Sequence, residues 1–135
     1  NNKISVLGKV GIERTILLTE DDKKRLFSYY KTIPEPVRPR YHSNDPVFVA
    51  FDFTRKTYHW SYENDAPKAL TEIAVQKMIR LEVERANLRK GISAQHLRNT
   101  FILRLIKHQI SEDQIVKQVG FKSKLSLKRY YHYID

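Results

Sequence analysis

Apolar and polar positions alternate at the start of the chain: Ile4 and Val6 are set between Lys3 and Ser5, and Ile12 through Leu18 resumes an apolar-rich run that carries Glu13 and Arg14. The two runs flank Gly8-Lys9-Val10-Gly11, so a period of two on either side of a flexible turn predicts a β-hairpin over 3–18 with Lys9 at its tip. Thr19-Glu20-Asp21-Asp22 then reads as a helix start, with Thr19 as the cap and Asp22 at the third helical position, where a carboxylate meets the positive helix end. That helix is predicted to reach Lys31 and to bury Leu26, Phe27 and Tyr30. Pro34, Pro36 and Pro39 make 32–46 a loop, because each removes a backbone donor and restricts the residue before it. Val47 to Ala50 with Phe51, then Tyr58, Trp60 and Tyr62 alternating with polar neighbours, predict a second hairpin over 47–62 around Thr54-Arg55-Lys56, with Phe48 and Phe51 in the core.

Helical spacing takes over in the second half. Leu70, Ile73, Ala74, Met78, Leu81 and Leu88 recur at that spacing after a Thr71 cap, predicting a helix over 71–88 whose apolar face Val75 and Ile79 widen. A helix over 94–108 follows Ser93 and is expected to bury Leu97, Phe101, Ile102 and Leu105. Ser111-Glu112-Asp113-Gln114 is a capping box for a short helix over 112–118, and Gly120 is placed to stop it. Leu125, Leu127 and Tyr131 predict a last helical stretch bearing Tyr130. The fold class is thus mainly α (α+β), a helical domain with a small β-hairpin or sheet near its N-terminus.

Length and charge narrow this further. A chain of 135 residues buries one core, and a single domain is the expectation. The formal net charge of +10 is unevenly spread: residues 1–88 carry 15 basic and 12 acidic side chains, whereas 89–135 carry 10 and 3. An anionic polymer or surface is the partner class this favours, met by the C-terminal third. With no cysteine there is no disulfide framework and no thiolate metal site, which fits a soluble, cytoplasmic protein. No apolar run approaches a membrane span. The five histidines show no compact ligand spacing, so no metal and no cofactor are expected. The opening at Asn1, without Met and already in a strand, leads us to expect further sequence upstream.

Several side chains carry candidate chemistry, each with a plain alternative. Arg98 lies within a core-forming helix, where a guanidinium must reach solvent, a carboxylate or a bound anion; its fork of donors suits a pair of phosphate oxygens. Tyr130, in Lys128-Arg129-Tyr130-Tyr131-His132-Tyr133, belongs to an aromatic-basic cluster that stacks on bases, holds phosphates or packs a tail. Trp60 and its neighbouring tyrosines form a stacking patch or pack their hairpin. Lys77, Arg80, Arg85, Arg89 and Lys90 are phosphate-contacting or simply solvated.

The order of these features is what resembles a known family. Ser93-Ala94-Gln95-His96-Leu97-Arg98-Asn99-Thr100-Phe101 resembles the His-x-x-Arg segment of tyrosine recombinases of the phage-integrase type, with Gln95 at the His position. Val119-Gly120-Phe121 resembles that family's Leu-Gly-His or Leu-Gly-Trp turn, Lys128 to His132 the segment holding its nucleophilic Tyr, and Val6 to Leu18 its Gly-Lys hairpin. The resemblance spans essentially the whole chain and implies a C-terminal catalytic-domain fragment over 1–135. It implies a site-specific recombinase or integrase that acts on double-stranded DNA and self-associates on it, through a 3′-phosphotyrosine intermediate. In that scheme Tyr130 is the nucleophile, Arg98 the phosphate clamp, Lys9 the general acid and Gln95 a phosphate hydrogen-bond donor, with Phe121 as packing wall. DNA contacts are expected from Lys9, Arg14, Arg98, Lys122, Lys124, Lys128, Arg129 and His132, the last being either structural or phosphate-facing.

Three departures weigh against full activity. The family's first catalytic Arg lies ahead of the hairpin that opens this sequence, so residues 1–135 alone are expected to be weak or inactive. Gln95 donates a hydrogen bond but cannot transfer protons as an imidazole does. Phe121 packs but offers no donor. A DNA-binding or regulatory paralogue without catalysis, a transcription-factor-like module reading duplex through a helix, and a purely structural role are the other readings.

Overall fold

The computed structural model describes residues 3–7 and 13–134, which fall into two compact units: Asn1–Thr19 with Val83–Asp135, and Glu20–Glu82. The first unit opens with strand β1 (Lys3–Leu7), antiparallel to β2 (Glu13–Leu17). Their register sets Lys3 against Leu17, Val6 against Arg14 and Leu7 against Glu13. Side chains alternate between exposed and half-buried along both strands, as a period of two requires of a one-faced ribbon. The inner face is therefore Ile4 and Val6 on β1 and Arg14 and Ile16 on β2. The predicted hairpin is present, while its turn, with Lys9, lies outside the described residues.

The helices of this unit follow from their caps. Helix α3 (Ala94–Lys107) starts after Ser93, whose backbone N–H donates to His96 Nδ1 at 3.1 Å. Helix α4 (Glu112–Val119) starts at Ser111, whose hydroxyl oxygen accepts the Gln114 N–H at 3.2 Å, and ends on Gly120 at φ +85°. A left-handed residue there lets its N–H close back on the Val116 carbonyl. The last element is a 3-10 helix (Lys124–Tyr133) in place of the expected α-helical stretch. Residues three apart eclipse in that geometry, which brings Leu127 and Tyr130 to one side, and both are buried.

Ile102, Ile115, Val119, Leu127 and Tyr130 form the core, with Leu105, Ile106, Val116 and Phe121 packed against it. Full burial of an aliphatic side chain is worth about 1.5–3 kcal/mol, so this cluster holds α3, α4 and the 3-10 helix together. The expectation for α3 needs correcting in part. Ile102 is fully buried and Leu105 half-buried, whereas Leu97 and Phe101 are 55% and 44% exposed. Leu97 and Phe101 lie around the helix from the row Arg98, Ile102, Leu105 that faces the core.

The second unit contains helix α1 (Glu20–Thr32), which leaves Phe27 49% exposed and buries Ile33 just beyond its end. A 3-10 turn (Glu35–Val37) follows within the proline segment. The expected single hairpin over 47–62 is instead part of a set of four two-residue strands in two separate pairs. Strand β3 (Phe51–Asp52) pairs with β4 (Thr57–Tyr58), and β5 (Trp60–Ser61) pairs with β6 (Ala66–Pro67). The two pairs are linked by hydrogen bonds from Ala50 N–H to the Lys68 carbonyl and from Leu70 N–H to the Phe48 carbonyl, and by a bridge between Val49 and Ala69. The turn at Thr54-Arg55-Lys56 forms as expected, its Thr54 and Arg55 N–H groups donating to Asp52 Oδ1. Phe48 is not core: it is 53% exposed and packs on the Tyr29 ring, and Phe51 is half-buried between Phe53 and Tyr58. In so small a ribbon the aromatics cover one another rather than a shared interior. Helix α2 (Glu72–Arg85) starts at Thr71, whose hydroxyl oxygen accepts the Ala74 N–H, and is three residues shorter than its apolar pattern.

Candidate active site

One side of α3 carries Gln95, Arg98, Asn99 and Ile102 at spacings of three and four, so these side chains share a stripe. Ile102 seats the stripe on the core, and the polar residues above it meet the 3-10 helix and the end of α4. Tyr130 is 3% exposed. Its hydroxyl donates to Asn99 Oδ1 at 3.0 Å and accepts from Arg129 Nη2 at 2.8 Å. Gln95 Nε2 donates to the same Asn99 oxygen at 2.9 Å. The Arg129 guanidinium also lies 4.8 Å from the Tyr130 ring centre, where a cation meets the negative face of the ring. A buried phenol is thereby fully hydrogen-bonded and fixed in orientation.

Arg98 turns to the other side of this group. Its Nη2 donates to the Val119 carbonyl at 3.2 Å and its guanidinium lies 5.4 Å from the Phe121 ring centre. Phe121 in turn lies 6.3 Å from the Tyr130 ring, so its ring stands between Arg98 and Tyr130. Arg14, on the inner face of β2, donates from Nη1 to that same Val119 carbonyl. Burial, reinforced by the positive charge of Arg14, pushes the Arg98 pKa below its ordinary value; the Tyr130 phenol opposes this and Arg129 adds to it. Among the described residues no carboxylate is paired with Arg14, Arg98 or Arg129.

The structure therefore brings together Gln95, Arg98, Phe121, Arg129 and Tyr130, and adds Arg14 to the cluster from the hairpin. Lys122, Lys128 and His132 are exposed. Lys124 is held by Asp113 at 3.0 Å, which raises its pKa. Lys9 lies outside the described residues. His96 is engaged in the Ser93 cap at the start of α3. Two groups escaped the sequence reading: Asn99, which stood four residues from Gln95 and so on its face, and the Val119 carbonyl, which no side-chain pattern marks. Among the described residues no three His, Asp or Glu side chains stand within metal-binding reach of each other, and no helix is long and apolar enough to cross a membrane.

Arg98, three residues after Gln95, Phe121 after the Val119-Gly120 turn, and Tyr130 follow one another along the chain and converge in space. The family model described as the phage integrase family matches residues 1–135. The chain belongs to the phage integrase family. Among solved structures it is similar to XerA recombinase, with a TM-score of 0.68 and 21% identity over 97% of this chain and 42% of that one. It is also similar to XerH site-specific recombinase bound to a palindromic difH substrate in a post-cleavage complex, with a TM-score of 0.60 and 18% identity over 97% of this chain and 33% of that one. At such identities the likeness is one of fold, and this phage-integrase chain spans less than half the length of either recombinase. No curated protein matches the sequence.

Proposed function

We propose that residues 1–135 are a DNA-binding catalytic-domain segment of a site-specific recombinase that cuts and rejoins duplex DNA through a 3′-phosphotyrosine. The observation that carries this reading is the setting of Tyr130, a buried phenol held by Asn99 and Arg129 beside Arg98 in a cluster without a paired carboxylate. Tyr130 Oη attacks the phosphorus, a P–O bond to the 5′-oxygen breaks, and the leaving oxygen takes a proton from Lys9. The tyrosine proton passes to water, since Asn99 and Arg129 orient the phenol but neither is a base. Arg98 stabilises the charge that grows on the phosphate oxygens, as fixed donors do at other such centres. Gln95 holds Asn99 and has a second amide hydrogen for phosphate. The partner strand is rejoined by the reverse sequence, on an assembly of several copies on DNA.

A second reading has its own support. Gln95 replaces a proton-transferring side chain, and the closed hydrogen bonds of Tyr130 must open before any phosphate reaches its oxygen. A paralogue that binds DNA without cutting it meets both facts. A nicked suicide duplex separates the two. With a protein extended upstream to include an Arg-bearing helix, a covalent protein–DNA adduct is expected and disappears in Tyr130→Phe, while residues 1–135 alone give little or none. An adduct that survives Tyr130→Phe removes Tyr130 as nucleophile, and no adduct from an extended protein that still binds the duplex favours the DNA-binding reading.

A further inference from the structure

An arginine on the covered face of a two-stranded ribbon needs an explanation, because a desolvated guanidinium without a counter-charge is costly. Arg14 occupies that face with Ile16, opposite Val6. It reaches across to the C-terminal end of α4, where its side chain passes over Gly120. A Cβ at that position would stand 3.2 Å from Arg14 Cδ. The same backbone carbonyl, Val119, accepts from Arg14 Nη1 and from Arg98 Nη2, so two like charges are drawn to one oxygen. Arg14 Nε is buried with no acceptor. Arg14 and Arg98 line a cleft of about 170 Å³ with Ile16, Phe101, Gln118 and Val119. One neutral carbonyl does not balance two guanidiniums. The cleft is lined by two cations, an orphaned N–H donor and an amide, with no carboxylate among its lining residues.

We propose that Arg14 and Arg98 form a two-guanidinium clamp for a single phosphodiester, with Arg14 supplying a second cation from the hairpin. The inference rests on the reading of Arg98 as a phosphate ligand and deepens it. The Val119 carbonyl is the fixed point that holds the two forks side by side. Each keeps further N–H donors for the phosphate oxygens, and Arg14 Nε gains the acceptor it lacks.

The test is duplex binding by fluorescence anisotropy at low salt, with Arg14→Gln, Arg98→Gln and the double variant. Glutamine keeps an N–H donor but carries no charge, so it removes the charge with the smallest loss of hydrogen-bonding capacity. Each single substitution is expected to weaken binding about tenfold, in line with a charge-assisted hydrogen bond. Because both groups hold one phosphate, the double variant is expected to fall about 10- to 20-fold rather than the ~100-fold of independent contacts. Arg104→Gln, on the exposed side of α3, is the control for net charge and should change binding less than twofold. Independent, additive losses, or an Arg14→Gln protein that binds as the unaltered one does, would overturn the proposal.

A measurement on the unaltered protein covers the case in which Arg14→Gln fails to fold. The ¹⁵N–¹Hε resonance of Arg14 should shift downfield on saturation with duplex, in step with that of Arg98. A shift at Arg98 with none at Arg14 rejects the clamp. The adduct assay above reads cleavage and these measurements read phosphate binding, so failure of the recombinase reading leaves the clamp intact and the converse also holds.

Discussion

Asn99 Oδ1 accepts two hydrogen bonds, from the Gln95 amide and from the Tyr130 hydroxyl, which uses both lone pairs of an amide oxygen. The side chain is therefore the point through which the start of α3 and the 3-10 helix share one polar network over the Ile102 core. Replacing it by alanine leaves the buried phenol with Arg129 alone, and an unsatisfied buried polar group costs about 1–3 kcal/mol. Asn99→Ala is expected to lose that much in urea unfolding, and Gln95→Ala less, because Gln95 is exposed. Equal losses in the two variants would remove Asn99 from the centre of the network. The fixed distances depend on this residue, yet the sequence reading passed over it. Its neighbour Arg98 drew the eye as a charge in a core helix, while an amide at i+4 from Gln95 is common on any helix surface.

Where the elements meet, Gly120 has two tasks. It ends α4 in the left-handed region at φ +85°, and its missing Cβ leaves room for Arg14. Gly120→Ala meets both constraints, and the left-handed backbone alone costs about 1–2 kcal/mol for a residue with a Cβ. A destabilisation of at least that size, read by thermal unfolding, is the expected outcome; a neutral substitution would show that the turn relaxes. The stop at Gly120 was legible, as were the Ser93, Ser111 and Thr71 starts and the 3–18 hairpin, because caps and short periods are local signals. The β elements of residues 47–70 were not. Two-residue strands in two separate pairs depend on contacts such as Ala50 with Lys68, which no local window contains. Periodicity likewise gave α3 its apolar positions without saying that the stripe through Arg98 and Ile102 would be the covered one, so Leu97 and Phe101 were misplaced. The resemblance named Gln95, Arg98, Phe121 and Tyr130, four residues that stand near one another in the fold, whereas the convergence of Arg14 and Arg98 on Val119 appears only in three dimensions.

At the scale of the molecule, most of the excess of positive charge sits in residues 89–135, the same stretch that builds α3, α4 and the 3-10 helix. Duplex affinity under the proposed function should fall with salt, by about 0.9 in the log–log slope for each phosphate contact. The basic residues of this stretch differ in their surroundings. Lys122 and Lys128 are exposed beside Phe121 and Tyr130, while Lys124 already faces Asp113 at 3.0 Å. An exposed pair of this kind adds little to stability, but it does offset the charge that a phosphate would meet. Lys122→Gln and Lys128→Gln are each expected to reduce the slope by about 0.9. Lys124→Gln should reduce it by less, and Lys23→Gln, at the start of α1 in the other unit, should leave it unchanged. Titrations of one labelled duplex at four salt concentrations give all four slopes. If the substitution on α1 lowers the slope as much as those near Tyr130, affinity follows total charge rather than this surface, and the assignment of the C-terminal third as the DNA-facing part fails.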